Sequence, residues 1–192
     1  MVINLLKIIH TRLASFSKIT VWIGGAALLF AAVMVTIDVL ARKIFGITMS
    51  GSDEISGYIF AGATTWAYSY CLFTRNNIRI DALYNLLSLR SKAFLDLLGL
   101  ILLSLYIYFL FTNSWEMFVE NWEFNSTAQT TLATPLWMPQ AFWISGLFFF
   151  LVSLSFVTLY CLIILIRKDW QGVNRIAGVK TVEEEIQEET HA

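Results

Sequence analysis

Charged residues are absent from four long stretches of the chain, residues 19–37, 55–74, 97–115 and 124–166, the last of them interrupted by Pro135 and Pro139. A helix rises about 1.5 Å per residue, so roughly 20 apolar residues cross a hydrocarbon layer about 30 Å thick. The pattern predicts an all-α membrane protein with four transmembrane helices, at about 19–37, 55–74, 97–115 and 139–166, in a membrane domain covering residues 1–168. The fourth is about 42 Å long at that rise, and so is expected to tilt or protrude.

Between the second and third stretches the period changes to that of an amphipathic helix at about 78–95. Ile80, Leu83, Tyr84, Leu87 and Phe94 gather on one side of the wheel; Asp81, Asn85, Ser88 and Lys92 gather on the other. Arg79 and Arg90 flank the apolar stripe, where a guanidinium reaches lipid phosphate while its stem stays in the acyl boundary. This segment is expected to lie on the cytoplasmic membrane surface, the alternative being a solvent-exposed extension of the third span. From residue 169 the chain turns polar and ends in Glu183, Glu184, Glu185, Glu188 and Glu189, which predicts a solvated, acidic cytoplasmic tail over 169–192.

Composition supports the membrane reading. A hydrophobic fraction of 57% and a mean hydropathy of +0.66 exceed what a soluble domain of this size buries. The spans and their connections take up most of the 192 residues, leaving little for a separate catalytic domain.

Lys and Arg fall at the start (Lys7, Arg12, Lys18), after the second span (Arg75, Arg79, Arg90, Lys92) and after the fourth (Arg167, Lys168, Arg175, Lys180). By the positive-inside rule these regions and both termini are cytoplasmic; Arg42 and Lys43 alone lean the other way. The apolar run of the first span is long for a signal peptide and three more spans follow, so an uncleaved helix is expected. Cys71 and Cys161 then lie near cytoplasmic helix ends, where a disulfide is not expected.

The spans themselves carry no ionisable group, and the two histidines, His10 and His191, lie near the ends of the chain, so no haem-binding pair is expected. No nucleophile–base pairing, phosphate loop or metal spacing is visible; the chain reads as a non-enzyme that binds no cofactor, metal or nucleic acid. What the spans do carry is a packing signal. Gly57, Ala61, Thr65 and Ser69 make a small-residue stripe for close helix approach, either within the chain's own bundle or against another subunit. Gly24, Ala27 and Ala31 repeat the pattern in the first span. Asp38 and Arg42, one turn apart, are placed to pair at the end of that helix.

Between the last two spans Trp115, Trp122, Trp137 and Trp143 fit an interfacial aromatic belt. Glu116, Glu120 and Glu123, in a region without Lys or Arg, form an acidic patch that either docks a basic partner or keeps the connection soluble.

Three segments together resemble the small membrane subunit of TRAP transporters, the DctQ-like family. The run 36–46, containing Asp38, Arg42 and Gly46 and followed by Gly51, Asp53 and Glu54, is similar to the end of that family's first helix and the loop after it. Asn77-Ile78-Arg79-Ile80-Asp81 resembles its His-Ile-Arg-Val-Asp signature, with Asn77 where the family commonly has His. Pro135-Leu136-Trp137 resembles the turn before its last helix. The resemblance implies a tripartite sodium-driven importer of organic acids, such as C4-dicarboxylates or sialic acids, in the bacterial inner membrane. In such an importer a periplasmic binding protein delivers substrate, and a large DctM-like subunit carries the sodium and substrate sites. The small subunit acts as scaffold, amid membrane lipids, and helps receive the binding protein. The rival reading is a cofactor-free anchor subunit of another inner-membrane complex.

Overall fold

Apolar runs bounded by left-handed glycines, hydroxyl caps and prolines set the helix limits. The computed structural model describes residues 2–76, 84 and 87–180, and these form five helices: α1 (Val2–Phe45), α2 (Ser52–Phe73), α3 (Leu89–Glu123), α4 (Trp137–Ile166) and α5 (Trp170–Ala177). The first is 44 residues long, far beyond its charge-free part. It continues until Gly46, whose φ of +67° ends the helix as glycine does at little steric cost. Gly51, at φ +98°, precedes α2.

Ser88 corrects the expected limits of the amphipathic helix. Its backbone is extended (φ −63°, ψ 153°) and its side chain accepts the Ser91 amide, so α3 starts at Leu89. Residues 89–95, with Arg90 and Phe94, therefore belong to the third long helix. Asn77, Arg79, Ile80, Asp81 and Leu83 lie outside the described residues, as does the tail from 181.

Pro139 sits in the first turn of α4, where its missing N–H is not needed by the helix. Asp169 caps α5 by accepting the Gly172 amide at 2.9 Å. That short helix packs against α3 and α4, with Val173 and Ala177 buried. The first part of the predicted solvated tail is thus joined to the bundle.

The long helices stand in a row in the order α1, α2, α4, α3. Of the two inner members, α4 contributes the most buried side chains, including Leu147, Phe150, Leu154, Val157 and Cys161. Phe149 also packs inward, stacking on Trp66 at 5.6 Å. At the edge, α1 buries Ser17, Ala31 and Asp38 while Trp22, Leu29 and Phe30 stay exposed.

Among the described residues three helices, α1, α3 and α4, are long and apolar enough to cross a membrane. The fourth expected span, α2, has 22 residues, but its Gly, Ser and Thr positions dilute its hydropathy. Those small residues permit close contact on both sides. An added Cβ at Gly146 of α4 would meet Thr65 Oγ1 at 2.6 Å and the Trp66 backbone nitrogen at 2.9 Å, and one at Gly24 of α1 would meet the Ala63 Cβ at 3.3 Å. The indole N–H of Trp66 donates to the Phe142 carbonyl, 3.2 Å away on α4.

Candidate functional site

The densest polar cluster is the corner between α1 and α2. Asp38, 1% exposed, accepts on one carboxylate oxygen from the Met49 amide at 2.5 Å and the Thr48 hydroxyl at 3.3 Å. Its other oxygen accepts from the Ser52 hydroxyl at 2.9 Å and from Arg42 at 2.6 Å. A buried carboxylate needs such partners, and here they come from the helix, the loop and the start of the next helix. The predicted Asp38–Arg42 pair is present, but Arg42 is 54% exposed, so the fastening comes chiefly from the loop and Ser52.

Glu54, in the first turn of α2, ties this corner to the connection before α4. It accepts from the Thr130 hydroxyl and, at 2.6 Å, from the Tyr58 hydroxyl. These donors, Thr130 foremost, hold its carboxyl below the usual glutamate range. The connection is itself a small hairpin-like turn: Thr127 bridges Pro135, the Leu136 amide donates to Ser126 at 2.9 Å, and the Ala128 amide donates to Thr134 at 2.9 Å. The Ser50 and Thr131 hydroxyls pair at 2.9 Å, and the Leu132 side chain lies against Gly51, where a Cβ would come within 2.2 Å. Gly51 thus satisfies both a left-handed φ and a close approach.

Beside this clamp the last turns of α3 rise as helix, not loop. Glu116, Glu120 and Glu123 are all exposed on them. Trp122 packs edge-on against Trp137 at 4.8 Å, and Asn121 donates to Gln140 at 3.2 Å, which fixes α3 to the start of α4. The family-like residues Asp38, Arg42, Gly46, Glu54, Pro135 and Trp137 therefore gather at one end of the molecule.

The opposite end carries a cluster around Asp96, a residue that the sequence pattern did not single out. Asp96, 4% exposed in α3, accepts from the Tyr84 hydroxyl at 2.7 Å, with Asn174 Oδ1 of α5 at 3.4 Å from the same hydroxyl. Lys92 lies over the Tyr84 ring at 5.1 Å and Arg90 over the Trp170 ring at 6.0 Å. The signal was present, since a carboxylate between Leu95 and Leu97 demands a buried partner.

Of the small-residue stripe, Thr65 and Ser69 are enclosed in the chain's own bundle, Ala61 is half-buried, and Gly57 is exposed with nothing within 4 Å of an added Cβ. Leu87 is half-buried and Phe94 is exposed. No group of three or more His, Cys, Asp or Glu side chains fit for a metal occurs among the described residues.

Long apolar helices, polar side chains that fasten helix to helix and loop to loop, and broad uncovered apolar faces define an integral membrane subunit. Residues 31–164 match the family described as tripartite ATP-independent periplasmic transporters, DctQ component, and the chain belongs to that family. It is the small membrane subunit of a TRAP transporter, which sets the rival anchor reading aside. Comparison with curated proteins gave no match, and neither did comparison with solved structures.

Proposed function

We propose that this subunit is the scaffold of a sodium-coupled TRAP importer of organic acids, C4-dicarboxylates, sialic acids or related carboxylates. It braces the large DctM-like membrane subunit, which holds the sodium and substrate sites, and helps seat the periplasmic binding protein. The observation that carries this reading is the open row of helices: α1 buries only three described side chains while Trp22, Leu29 and Phe30 are 72%, 69% and 64% exposed. Such a face suits lipid and a partner's helices, as a bracing subunit requires. Within the same reading all four long helices cross the bilayer, α2 being sheltered by its neighbours, and both termini are cytoplasmic. The clamped end, with Glu54, Thr130 and the α3 glutamates, is then periplasmic.

The test is co-expression with a DctM-like subunit and the cognate binding protein, followed by purification and reconstituted uptake. A stable complex that takes up an organic acid with a sodium gradient, and loses uptake when this chain is left out, is the expected outcome. Uptake that is unchanged without this chain removes the scaffold reading. Impermeant thiol labelling at position 129 but not at position 191 in intact cells checks the orientation.

A further inference from the structure

Along one edge of the molecule α1 and α2 leave a groove of about 280 Å³. Gly24, Ala27 and Ala63 form its narrow floor, because an added Cβ at Gly24 would already touch Ala63 at 3.3 Å. Phe16, Ile23 and Trp66 are among the side chains of its walls. On α1 the groove runs from residue 16 to residue 27, about 16 Å of helix rise. That length matches one leaflet, half of a hydrocarbon layer about 30 Å thick, and residue 27 lies near the middle of the charge-free stretch 19–37.

The groove continues at one end into a different chemistry. Arg12 precedes Phe16 by four residues, so it shares the stripe of Phe16, Ile19 and Ile23 and stands about 6 Å further along the axis. It is exposed, and it also borders a hollow lined by Asn4, Lys7, Ile8 and Thr11. Thr11 is exposed there too, its hydroxyl donating to the Lys7 carbonyl at 3.0 Å. The first acidic residue of the chain is Asp38, at the other end of α1. An apolar slot one leaflet long, headed by the cation Arg12 at headgroup height, has dimensions and charge that suit a single anionic phospholipid.

We infer that the α1–α2 groove is a binding site for one anionic phospholipid, its phosphate on Arg12 and an acyl chain laid over Gly24, Ala27 and Ala63. The inference rests on α1 crossing the bilayer and not on the scaffold reading. The lipid fills a seam that the small side chains leave open, and so completes the packing of α1 onto the bundle.

The experiment is native mass spectrometry of the full chain purified from nanodiscs containing equal amounts of phosphatidylglycerol and phosphatidylcholine. The wild type is expected to retain one phosphatidylglycerol in preference to phosphatidylcholine. Arg12→Gln should cut that preference by about fivefold, the scale of one basic side chain near an anionic surface. Ala27→Phe should lower retention of both lipids by filling the floor, while Arg42→Gln, at the far end of α1, should change nothing. Equal retention by wild type, Arg12→Gln and Ala27→Phe overturns the site. Should Ala27→Phe fail to fold, a photoreactive benzoylphenylalanine at Ile23 decides in native membranes of the assembled complex. Adducts with phospholipid sustain the inference, and a crosslink into a protein subunit replaces it with a protein interface. Because the lipid readout uses the isolated chain, loss of complex formation leaves it unaltered.

Discussion

Asp38 and Ser52 are joined by a 2.9 Å hydrogen bond between side chains that are 1% and 2% exposed, fourteen residues apart on different helices. This bond, with the Met49 amide on the same carboxylate, sets how α1 turns into α2. Asp38→Ala would leave a buried hydroxyl and a backbone N–H without their acceptor, the expensive kind of loss. Arg42→Gln removes a mostly exposed partner and should matter far less. Thermal unfolding of the purified subunit should therefore show a clear drop for Asp38→Ala and a small one for Arg42→Gln. Equal drops would mean that the ion pair, and not the loop clamp, holds the corner.

Glu54 gives the same end a pH dependence. Its folded-state pKa is lowered from 4.5 by the Thr130 and Tyr58 hydroxyls, so the charged form is favoured by folding. The stability it contributes is present above the unfolded value and is lost as pH falls through the lowered folded value. The difference in unfolding midpoint between wild type and Glu54→Gln should be largest near neutral pH and shrink once pH drops below about 4.5. A difference that stays constant across that range would show that the Thr130 contact does not depend on the charge.

The three apolar helices α1, α3 and α4 were readable because exclusion of charge is a property of each stretch by itself. The limits of α1 and α3 were less so: charged residues inside a helix, such as Lys18 and Glu116, end a charge-free run without ending the helix. Ser88 was counted on the polar face of an amphipathic helix, yet a serine is equally suited to cap one, and only its extended backbone decides between the two. At the candidate site the sequence placed Asp38 next to Arg42 because they are four apart on one helix. The Glu54–Thr130 bond spans 76 residues and depends on the order of the helices in the row, which no local period encodes.

Gly146 and Gly57 separate the packing of the chain on itself from packing on a partner. Gly146→Ala puts a methyl against a backbone nitrogen of α2 and must part the helices; overpacking of this kind costs roughly 1–3 kcal/mol. Gly57→Leu meets open space and should leave the unfolding midpoint of the isolated subunit unchanged. If Gly57 admits a helix of the large subunit, the same change should lower the yield of the complex on co-purification. Unchanged yield would assign that surface to lipid.

The last turns of α3 carry Glu116, Glu120 and Glu123 exposed and no basic residue, at the end of a helix where its dipole is negative. Negative side chains there work against the local field, so the arrangement is not explained by the stability of α3 itself. The glutamates stand beside the Trp122–Trp137 pair and a helix fastened to α4 through Asn121 and Gln140, which makes the acidic surface a rigid one. Under the proposed orientation it faces the periplasm, and a binding protein with basic residues on the approaching lobe would be drawn to it, mainly through a faster encounter. Changing all three glutamates to lysine should slow uptake most at low ionic strength, with the defect narrowing as salt screens the repulsion over a Debye length of about 10 Å at 0.1 M. Association with the large subunit should stay close to wild type and the unfolding midpoint should not fall, because none of the three side chains is buried and lysine suits that end of a helix. Normal uptake by the triple variant at low ionic strength would remove the docking role and leave the glutamates as a means of keeping this protruding helix end in water.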